Sequence, residues 1–388
     1  MATAATGTGV VPYDSQLIRN GWMLEGLVQA ASTSFWDGIT GSNYDAVIYQ
    51  KTDFNAAEGH EVRFQFDGNL VSEAHVDKEQ AWGNSEQKKL FSDSIRVRRL
   101  RWSVDNGDSF DSKNVGDLSL SEHGDSRTKL SDLFVRAKDQ FLFDAFQGRL
   151  NNEAASHIIR PNNRATVGDL VAGDTLGYDF ILDMELSIKS GRGFTVGSDR
   201  RPLEPYKLAD GRRVWLMVVN SAQARDLRKD DRFVSIISQG DVRGQGNRLI
   251  KGIIGQIGSF IIVEAQDFFG VSTSRVIGKT KVEISGLRQI DSNGNFTGES
   301  GFASSGAVVA DRGIILGRSA GQIGFGKMPD YKFKTSQDFD IKSESALEVW
   351  MNVQKTILKS ESGDYDDAIV SGFDFGIVVF DTYNRTVA

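Results

Sequence analysis

One stretch of the chain resembles a loop that binds nucleotide phosphates. Gly321, Gly326 and Lys327 match the first part of the pattern G-x-x-x-x-G-K. The next residue is Met328, so the hydroxyl group that would bind Mg²⁺ is missing, and no apolar strand clearly leads into the pattern. The stretch therefore does not predict a nucleotide site.

Two groups of acidic and amide residues invite comparison with cation sites. Asp291, Asn293 and Asn295 have the alternate spacing with which a calcium loop begins, but Phe296 stands where that loop requires glycine. A hairpin turn explains these residues better than a calcium site. The aspartates within residues 364–367 lie in a polar stretch, and we favour a solvated loop there over a divalent metal site.

The residue types that most often ligate transition metals or act as nucleophiles are scarce. The chain contains no Cys, which excludes disulfides and thiolate zinc sites. The four His residues lack the spacing of a helical zinc motif, and we interpret them as solvated turn residues: His60, His75, His123 and His157. The sequence therefore predicts no catalytic residue, no metal and no cofactor.

The strongest charge feature is a run of arginines within one predicted strand: Arg96, Arg98, Arg99 and Arg101. Guanidinium groups at this density can follow nucleic-acid phosphates or pair with carboxylates. The net charge of the chain is -7, which disfavours general nucleic-acid binding. We favour pairing with a neighbouring protein, because the same predicted hairpin carries several carboxylates: Glu73, Asp77, Glu79 and Glu86.

The element that would present these charges is a long hairpin, predicted over residues 59–104. Apolar and polar residues alternate at 62–66, which is typical of a half-buried strand. In the return strand, residues 95–104, the apolar face switches near Arg98, which predicts a bulge or a bend. The intervening residues 67–94 are polar and long for a loop, and loops of this length usually serve function or a partner.

A single long helix is predicted over residues 126–147. Its apolar stripe follows the helical period: Leu130, Leu133, Phe134, Ala137, Phe141 and Ala145. Asp125 is the predicted N-cap, and Gly148 is the predicted left-handed C-cap. Phe143 and Phe146 lie off this stripe, so the helix carries a second apolar face and can support several elements at once.

The later part of the chain alternates strands and helices. Buried strands are predicted at 214–219, 260–263 and 377–380, and a long strand with alternating apolar and polar residues at 347–354. Helices are predicted at 176–189 and 221–227, and a hairpin at 281–294. Residues 307–320 are predicted as a helix, although three glycines weaken it. With 388 residues, the chain is too long for one compact core, so at least two subdomains are expected.

Residues 1–55 are predicted to form an extended arm, with large apolar side chains between glycines. Such side chains must lie on the body of the chain or on a neighbour. The first eighteen residues contain no Lys or Arg, which argues against a secretory signal, and no apolar run has the length of a membrane span.

Five stretches, in this order and spacing, resemble a known family. They are residues 59–64 (GHEVRF), 129–148, 214–227, 247–264 and 374–381 (DFGIVVFD). The chain resembles the major capsid proteins of tailed double-stranded DNA phages, which share the Hong Kong 97 type fold. It looks closest to the branch found in enquatroviruses and related podoviruses. The resemblance covers most of the chain beyond residue 50.

The resemblance implies an α+β fold with five parts. They are an N-terminal arm (1–55), an E-loop hairpin (56–105), a P-domain (106–200) with spine helix 126–147, an A-domain (201–335), and returning P-domain strands (336–388). It also implies a protein that self-assembles, through pentamers and hexamers, into an icosahedral shell around packaged double-stranded DNA. No catalytic residue, sequence-specific DNA contact or membrane contact is implied.

Further partners implied by the resemblance are portal, scaffold and decoration proteins. The implied location is the virion capsid, with the host cytoplasm during assembly. Contacts between copies are expected from the arm, the hairpin and the basic strand, since we expect these limbs to be buried only on sister copies: Trp22, Trp36, Glu73, Asp77, Trp82, Arg96, Arg98 and Arg99. The alternatives are another virion component, such as a decoration or tail protein, and a soluble α/β enzyme.

Overall fold

The computed structural model describes sixteen stretches of the chain. They are residues 34–52, 61–67, 73–77, 80, 82–85, 90–108, 121–148, 155–190, 195–196, 199–200, 203–208, 210–239, 253–265, 310–337, 342–357 and 374–383. The predicted hairpin at 281–294, the acidic cluster at 364–367, His60 and Trp22 lie outside these residues.

The first of the two large sheets has five strands. Its strands, in spatial order, are β1 (Thr40–Gly41), β2 (Ile48–Thr52), β14 (Gly321–Gln337), β15 (Lys342–Lys355) and β5 (Arg98–Asp108). The central β14 and β15 are antiparallel, and β2 runs parallel to β14. The predicted long strand is present as β15, and its apolar residues Leu347, Val349, Met351 and Val353 are all buried, although polar residues between them are buried as well. β5 forms one edge of this sheet.

The long helix α1 (Ser121–Phe146) packs on one face of this sheet. Its apolar stripe and the second face with Phe143 and Phe146 are both buried in the same core, which confirms the predicted pattern. Gly148 has φ of 78°, which confirms the left-handed C-cap. The predicted N-cap is wrong, because the helix begins four residues before Asp125.

A seven-stranded sheet forms the α/β part of the fold. It contains β6 (Ile158–Ile159), β9 (Tyr206–Lys207), β10 (Arg213–Val219), β11 (Ile253–Ile257), β12 (Phe260–Glu264), β13 (Ala310–Leu316) and β16 (Ile377–Tyr383). Three helices accompany it: α2 (Tyr178–Ser190), α3 (Ser221–Arg228) and α4 (Asp231–Gln239). Asn220 caps α3 through a reciprocal capping box with Gln223.

Short elements complete the described part of the chain. Two two-stranded ribbons pair β3 (Glu61–Asp67) with β4 (Leu90–Arg96), and β7 (Thr195–Val196) with β8 (Asp199–Arg200). Single 3₁₀ turns occur at Asp37–Ile39, Pro161–Asn163 and Val167–Asp169.

The predicted helix at 307–320 is wrong, because this segment contains strand β13 and the turn into β14. All seven residues of β13 are buried, and the strand pairs with β10 on one side and β16 on the other. A strand buried on both faces has no polar alternation to distinguish it from a buried helix. The glycines are required by neighbours instead: a Cβ on Gly321 would lie 2.3 Å from the ring of Phe146.

The chain passes between the two sheets more often than the predicted division of domains allows. The boundary at residue 335 falls in β14, although β14 pairs with β15 along its length. The last strand, β16, lies in the seven-stranded sheet, and its Ile377 and Val379 share a core with α1. Backbone hydrogen bonding joins both strands to partners distant in sequence, β14 to β2 and β15, and β16 to β6 and β13.

Candidate assembly interface

The hairpin predicted from the sequence is present, but its two strands are buried on the chain's own body. β3 and β4 pair from Glu61 with Arg96 to Asp67 with Leu90. Their apolar side chains form a small core: Val62, Phe64, Phe66, Ile95 and Val97. Partly buried aromatic residues of the body pack against this core: Tyr44, Tyr49, Trp350 and Phe375. The expectation that the whole limb is buried only on sister copies is therefore wrong for the base of the hairpin.

The predicted switch of the apolar face lies at Val97, between β4 and β5. Here the strand leaves β3 and joins the edge of the five-stranded sheet next to β15. On the β4 side of this point, side chains of β15 hold β4 through hydrogen bonds to its backbone. The amide of Asn352 donates to the carbonyl oxygen of Arg96 (3.0 Å), and that of Gln354 donates to the carbonyl oxygen of Ser94 (3.1 Å). The side-chain contacts fix the direction in which the hairpin leaves the sheet.

The described residues of the hairpin tip are exposed. Trp82 is 87% exposed and Val76 is 61% exposed. Glu73 and Asp77 are also exposed, and Asp77 has φ of 53°. A tryptophan with almost its whole surface in water is unusual in a monomer and common at the centre of protein interfaces. The tip thus presents an apolar ring beside two carboxylates.

The arginines at the base of the hairpin are in two different environments. Arg99 makes a bidentate ion pair with Glu348 of its own chain, with both N–O distances 3.1 Å. Arg96, Arg98 and Arg101 are exposed, and none of the three has a carboxylate partner within the part of the chain that the structure describes. Three guanidinium groups are therefore available to another molecule.

Glu348 is the centre of a charged network on the sheet face opposite to α1. Besides Arg99, its carboxylate accepts hydrogen bonds from Lys332 (2.5 Å) and from the indole of Trp350 (2.9 Å). Burial alone would raise the pKa of Glu348, but the hydrogen bonds from Lys332, Trp350 and Arg99 outweigh it and hold the pKa at about 2. Sequence reasoning missed this residue, although its place among the polar residues that alternate along β15 was a usable signal.

The sheet face around Glu348 is only partly covered. Near Gly324 the hairpin core lies over this face. A Cβ atom added to Gly324 would lie 3.3 Å from the Cβ of Val62. Towards the other end, Lys332, Lys334 and Arg101 are exposed. We call this uncovered part, together with the exposed Arg96 and Arg98 at the hairpin base, the basic face; Arg98 is paired with Met351 and so lies on the other side of β5 from Arg99 and Arg101.

A family model described as "Phage capsid protein" matches residues 22–386. This chain belongs to the phage capsid protein family. The match confirms the family that the sequence resembles. The capsid protein is a structural protein that self-associates to form the phage shell. The alternatives of a decoration or tail component and of a soluble α/β enzyme are not favoured by this match.

Solved structures give the same fold for the capsid protein. The capsid of Ralstonia phage GP4 matches with a TM-score of 0.66 and 18% identity, covering 92% of each chain. The head structure of Helicobacter pylori bacteriophage KHP40 matches with 0.68 and 13%, covering 91% of each chain. The Cyanophage Pam1 capsid matches with 0.60 and 12%, covering 91% of this chain and 93% of that one. A comparison with curated protein sequences gives no match.

One predicted contact residue of the capsid protein is inside its own core. Trp36 has no exposed surface, and its ring lies 4.6 Å from that of Phe143 and 5.2 Å from that of Phe146. The prediction that Trp36 contacts a neighbour is therefore wrong for this conformation, because the second apolar face of α1 already covers the indole. The other predicted contact residues, apart from Trp22 and the internally paired Arg99, are exposed.

The near-motifs of the capsid protein have structural explanations where the structure describes them. Gly321, Gly326 and Lys327 lie in strand β14, and the ammonium of Lys327 pairs with Asp330 at 2.8 Å. His157 is buried, which lowers its pKa, so it is not the solvated turn residue that was predicted. Among the described residues, no group of three or more His, Asp or Glu could hold a metal ion, and no helix is long and apolar enough to span a membrane.

Proposed function

We propose that neighbouring copies of the capsid protein join through the hairpin tip of one copy and the basic face of the next. The observation that carries this proposal is a set of three exposed arginines, Arg96, Arg98 and Arg101, that have no ion pair within the described part of the chain. The tip offers complementary groups, the carboxylates of Glu73 and Asp77. Opposite charges on two surfaces guide encounter and set the register of an interface.

The geometry of the hairpin supports pairing between copies over pairing within one copy. Arg96 lies at the base of the ladder, opposite Glu61, whereas Leu90 closes its far end opposite Asp67. Strand residues rise about 3.3 Å each, so the two ends of the ladder are roughly 20 Å apart. Glu73 and Asp77 follow the far end. Their carboxylates therefore reach the arginines of a neighbour more readily than those of the same hairpin.

Trp82 supplies the apolar part of the proposed contact. Buried tryptophans and arginines contribute most of the binding free energy in many interfaces, while rim charges contribute little. Removing its exposed surface from water would stabilise the contact at roughly 25 cal/mol per Å². Each contact is modest, but a closed shell repeats it in every copy, so the sum is large.

The resemblance and the two sheets together support a revised division of roles. We assign β3 and β4 with their tip to the E-loop, and the five-stranded sheet with α1 to the P-domain. The seven-stranded sheet with α2, α3 and α4 is assigned to the A-domain, and the residues before β1 to the N-terminal arm. This division differs from the predicted one in placing β14 in the P-domain and β16 in the A-domain.

The wider role follows from the family and not from any contact described above. We propose that the shell is icosahedral, is built from pentamers and hexamers, and encloses double-stranded DNA without sequence-specific binding. Portal, scaffold and decoration proteins are the proposed partners, and assembly is proposed to occur in the host cytoplasm. The proposed role is structural and not catalytic.

A charge-reversal experiment tests the proposed contact. Arg98→Glu and Glu73→Arg should each reduce the yield of shells, counted by negative-stain electron microscopy, by tenfold or more. Combining them should restore at least part of the yield, because the pair then has opposite charges again. Melting temperatures should change little, since both side chains are exposed and neither has an ion pair with a residue that the structure describes. The matched control is Arg225→Glu, an exposed residue of α3 that also has no ion pair among the described residues.

Two outcomes would contradict the proposed contact. One is a normal shell yield for both single variants. The other is a loss of yield that the double variant does not restore at all while Arg225→Glu shows an equal loss, since the effect would then come from charge in general.

A further inference from the structure

The segment that precedes β1 is attached to α1 at one buried carboxylate. The hydroxyl of Ser34 donates a hydrogen bond to Oδ1 of Asp139 (2.6 Å), and the backbone N–H of Phe35 donates one to Oδ2 (2.7 Å). Asp139 has no exposed surface. Both of its oxygens are therefore used to hold residues from another part of the chain, more than a hundred positions away.

Neighbouring contacts make this attachment specific. The indole N–H of Trp36 donates to the backbone carbonyl oxygen of Asp139 (3.3 Å), and Lys138 pairs with Asp37 at 2.5 Å. The charged groups that act on the Asp139 carboxylate are therefore Lys138, on the same helix, and Asp37, on the attached segment. Residues 34–37 thus lie on α1 through a single polar centre with an aromatic ring beside it.

We propose that Asp139 is a proton-controlled latch that holds residues 34–37 on α1, and that the attachment tightens when the carboxyl group binds a proton. A neutral carboxyl keeps both contacts: its carbonyl oxygen accepts from Phe35, and its O–H donates to the Ser34 oxygen, whose hydroxyl can rotate. What disappears on protonation is the unfavourable burial of a charge. This inference goes beyond shell formation and does not rest on the hairpin contact.

The direction of the effect follows from the titration of Asp139. Burial raises its pKa from 3.8 to about 6, and this effect exceeds the lowering by Ser34, Phe35 and Lys138. A released segment would expose the carboxyl to water, where its pKa is near the ordinary value. The attached state therefore binds the proton more tightly, so attachment is strongest below about pH 4 and weakens as the pH rises through about 6.

The size of the effect is measurable. A pKa difference from 3.8 to about 6 corresponds to a change of about two orders of magnitude in the ratio of attached to released segment. In a shell protein, such a latch would make the N-terminal part of the chain easier to move at neutral pH than in acid.

Hydrogen–deuterium exchange of the full-length, unassembled protein tests this latch. The readout is the protection of a peptide covering residues 34–37 at pH 5 and pH 7.5, with intrinsic rates corrected on the unfolded protein. We expect protection to be at least tenfold higher at pH 5. Asp139→Asn should be protected equally at both values, because the amide is neutral throughout. The matched control is Asp132→Asn, a carboxylate on the same helix whose side chain is 55% exposed; it should keep the wild-type dependence.

A second variant keeps the test decisive if Asp139→Asn does not fold. Ser34→Ala lies outside α1 and removes a hydrogen bond that lowers the pKa of Asp139. Its protection should be lower than wild type at both pH values, and the midpoint of its pH dependence should rise. Equal protection of the wild-type peptide at pH 5 and pH 7.5 would overturn the proposal. So would a pH dependence that persists in Asp139→Asn, or one that is lost in Asp132→Asn.

Discussion

Replacing Glu348 by Gln should destabilise the capsid protein in a way that depends on pH. The carboxylate is 3% exposed and neutralises Arg99 and Lys332, with a third cation, Lys327, 4.0 Å away. An amide of the same shape keeps the volume but removes the negative charge. Three cations would then surround a neutral group, and breaking a buried pair in this way is strongly destabilising.

The structure gives the size and sign of the effect. The pKa of Glu348 falls from 4.5 to about 2 on folding, because hydrogen bonds from Lys332, Trp350 and Arg99 outweigh burial. At about 1.4 kcal/mol per unit, the charged form contributes about 3 kcal/mol to the free energy of unfolding at pH 7. Since the folded pKa is the lower one, this contribution is present above pH 4.5 and is lost as the pH falls towards 2.

Urea denaturation of the unassembled wild type and Glu348→Gln at pH 7 and pH 3 measures this contribution. The difference between the two proteins should fall from about 3 kcal/mol at pH 7 to about 1 kcal/mol at pH 3. Comparing differences removes the titration of all other groups. Asp330→Asn is the control: Asp330 pairs with Lys327 on the same face but is 36% exposed, so it should cost less than about 1 kcal/mol. A gap between wild type and Glu348→Gln that is equal at both pH values would refute the electrostatic reasoning.

Three further predictions concern the core and the hairpin. Asp381→Asn should lower the free energy of unfolding by about 3–5 kcal/mol in chemical denaturation, because the fully buried Arg312 loses the charge of its bidentate partner. Gly321→Ala should lower the melting temperature, since its Cβ would lie 2.3 Å from the Phe146 ring, and Phe146→Leu should restore part of the loss. Replacing residues 68–89 by a two-residue turn should leave a folded protein that forms no shells; normal shells in the electron microscope would contradict the assigned role of the tip.

Elements with a strong local pattern could be predicted from the sequence. The stripe of α1 repeats over about four turns, and the alternation in β3 marks which of its side chains are buried. The change of parity around Val97 correctly indicated that the return strand leaves one partner and joins another. In each case the spacing of apolar residues within a short segment was enough to predict the local structure.

Pairing between distant segments could not be predicted in the same way. Strand β13 has buried residues on both faces, so its pattern carries no period, and its glycines resemble weak points of a helix. The membership of β14 and β16 in their sheets depends on partners far along the chain. Local periodicity contains no information about which strand lies beside which.

The buried carboxylate of Asp139 was not predicted from the sequence, for a related reason. Asp139 has a sequence signal, because it lies on the same helical face as Phe143 and Phe146, at spacings of four and seven residues. A carboxylate in an apolar stripe indicates a buried partner. Its partners, Ser34 and Phe35, belong to a segment predicted as an arm that lies on a neighbour, and nothing local to that segment points to α1.

The burial of the hairpin base on its own body bears on how the shell can form. If both strands were buried only against sister copies, each new contact would have to order about fourteen strand residues. The loss of backbone conformational entropy would cost about 1 kcal/mol or more for each residue. The paired strands are instead held by a core of five apolar residues and by Asn352 and Gln354 before any neighbour arrives. Binding of a neighbour then costs little conformational entropy in these two strands. A preorganised limb with an exposed Trp82 therefore needs a smaller contact to reach the same affinity, because less conformational entropy is lost.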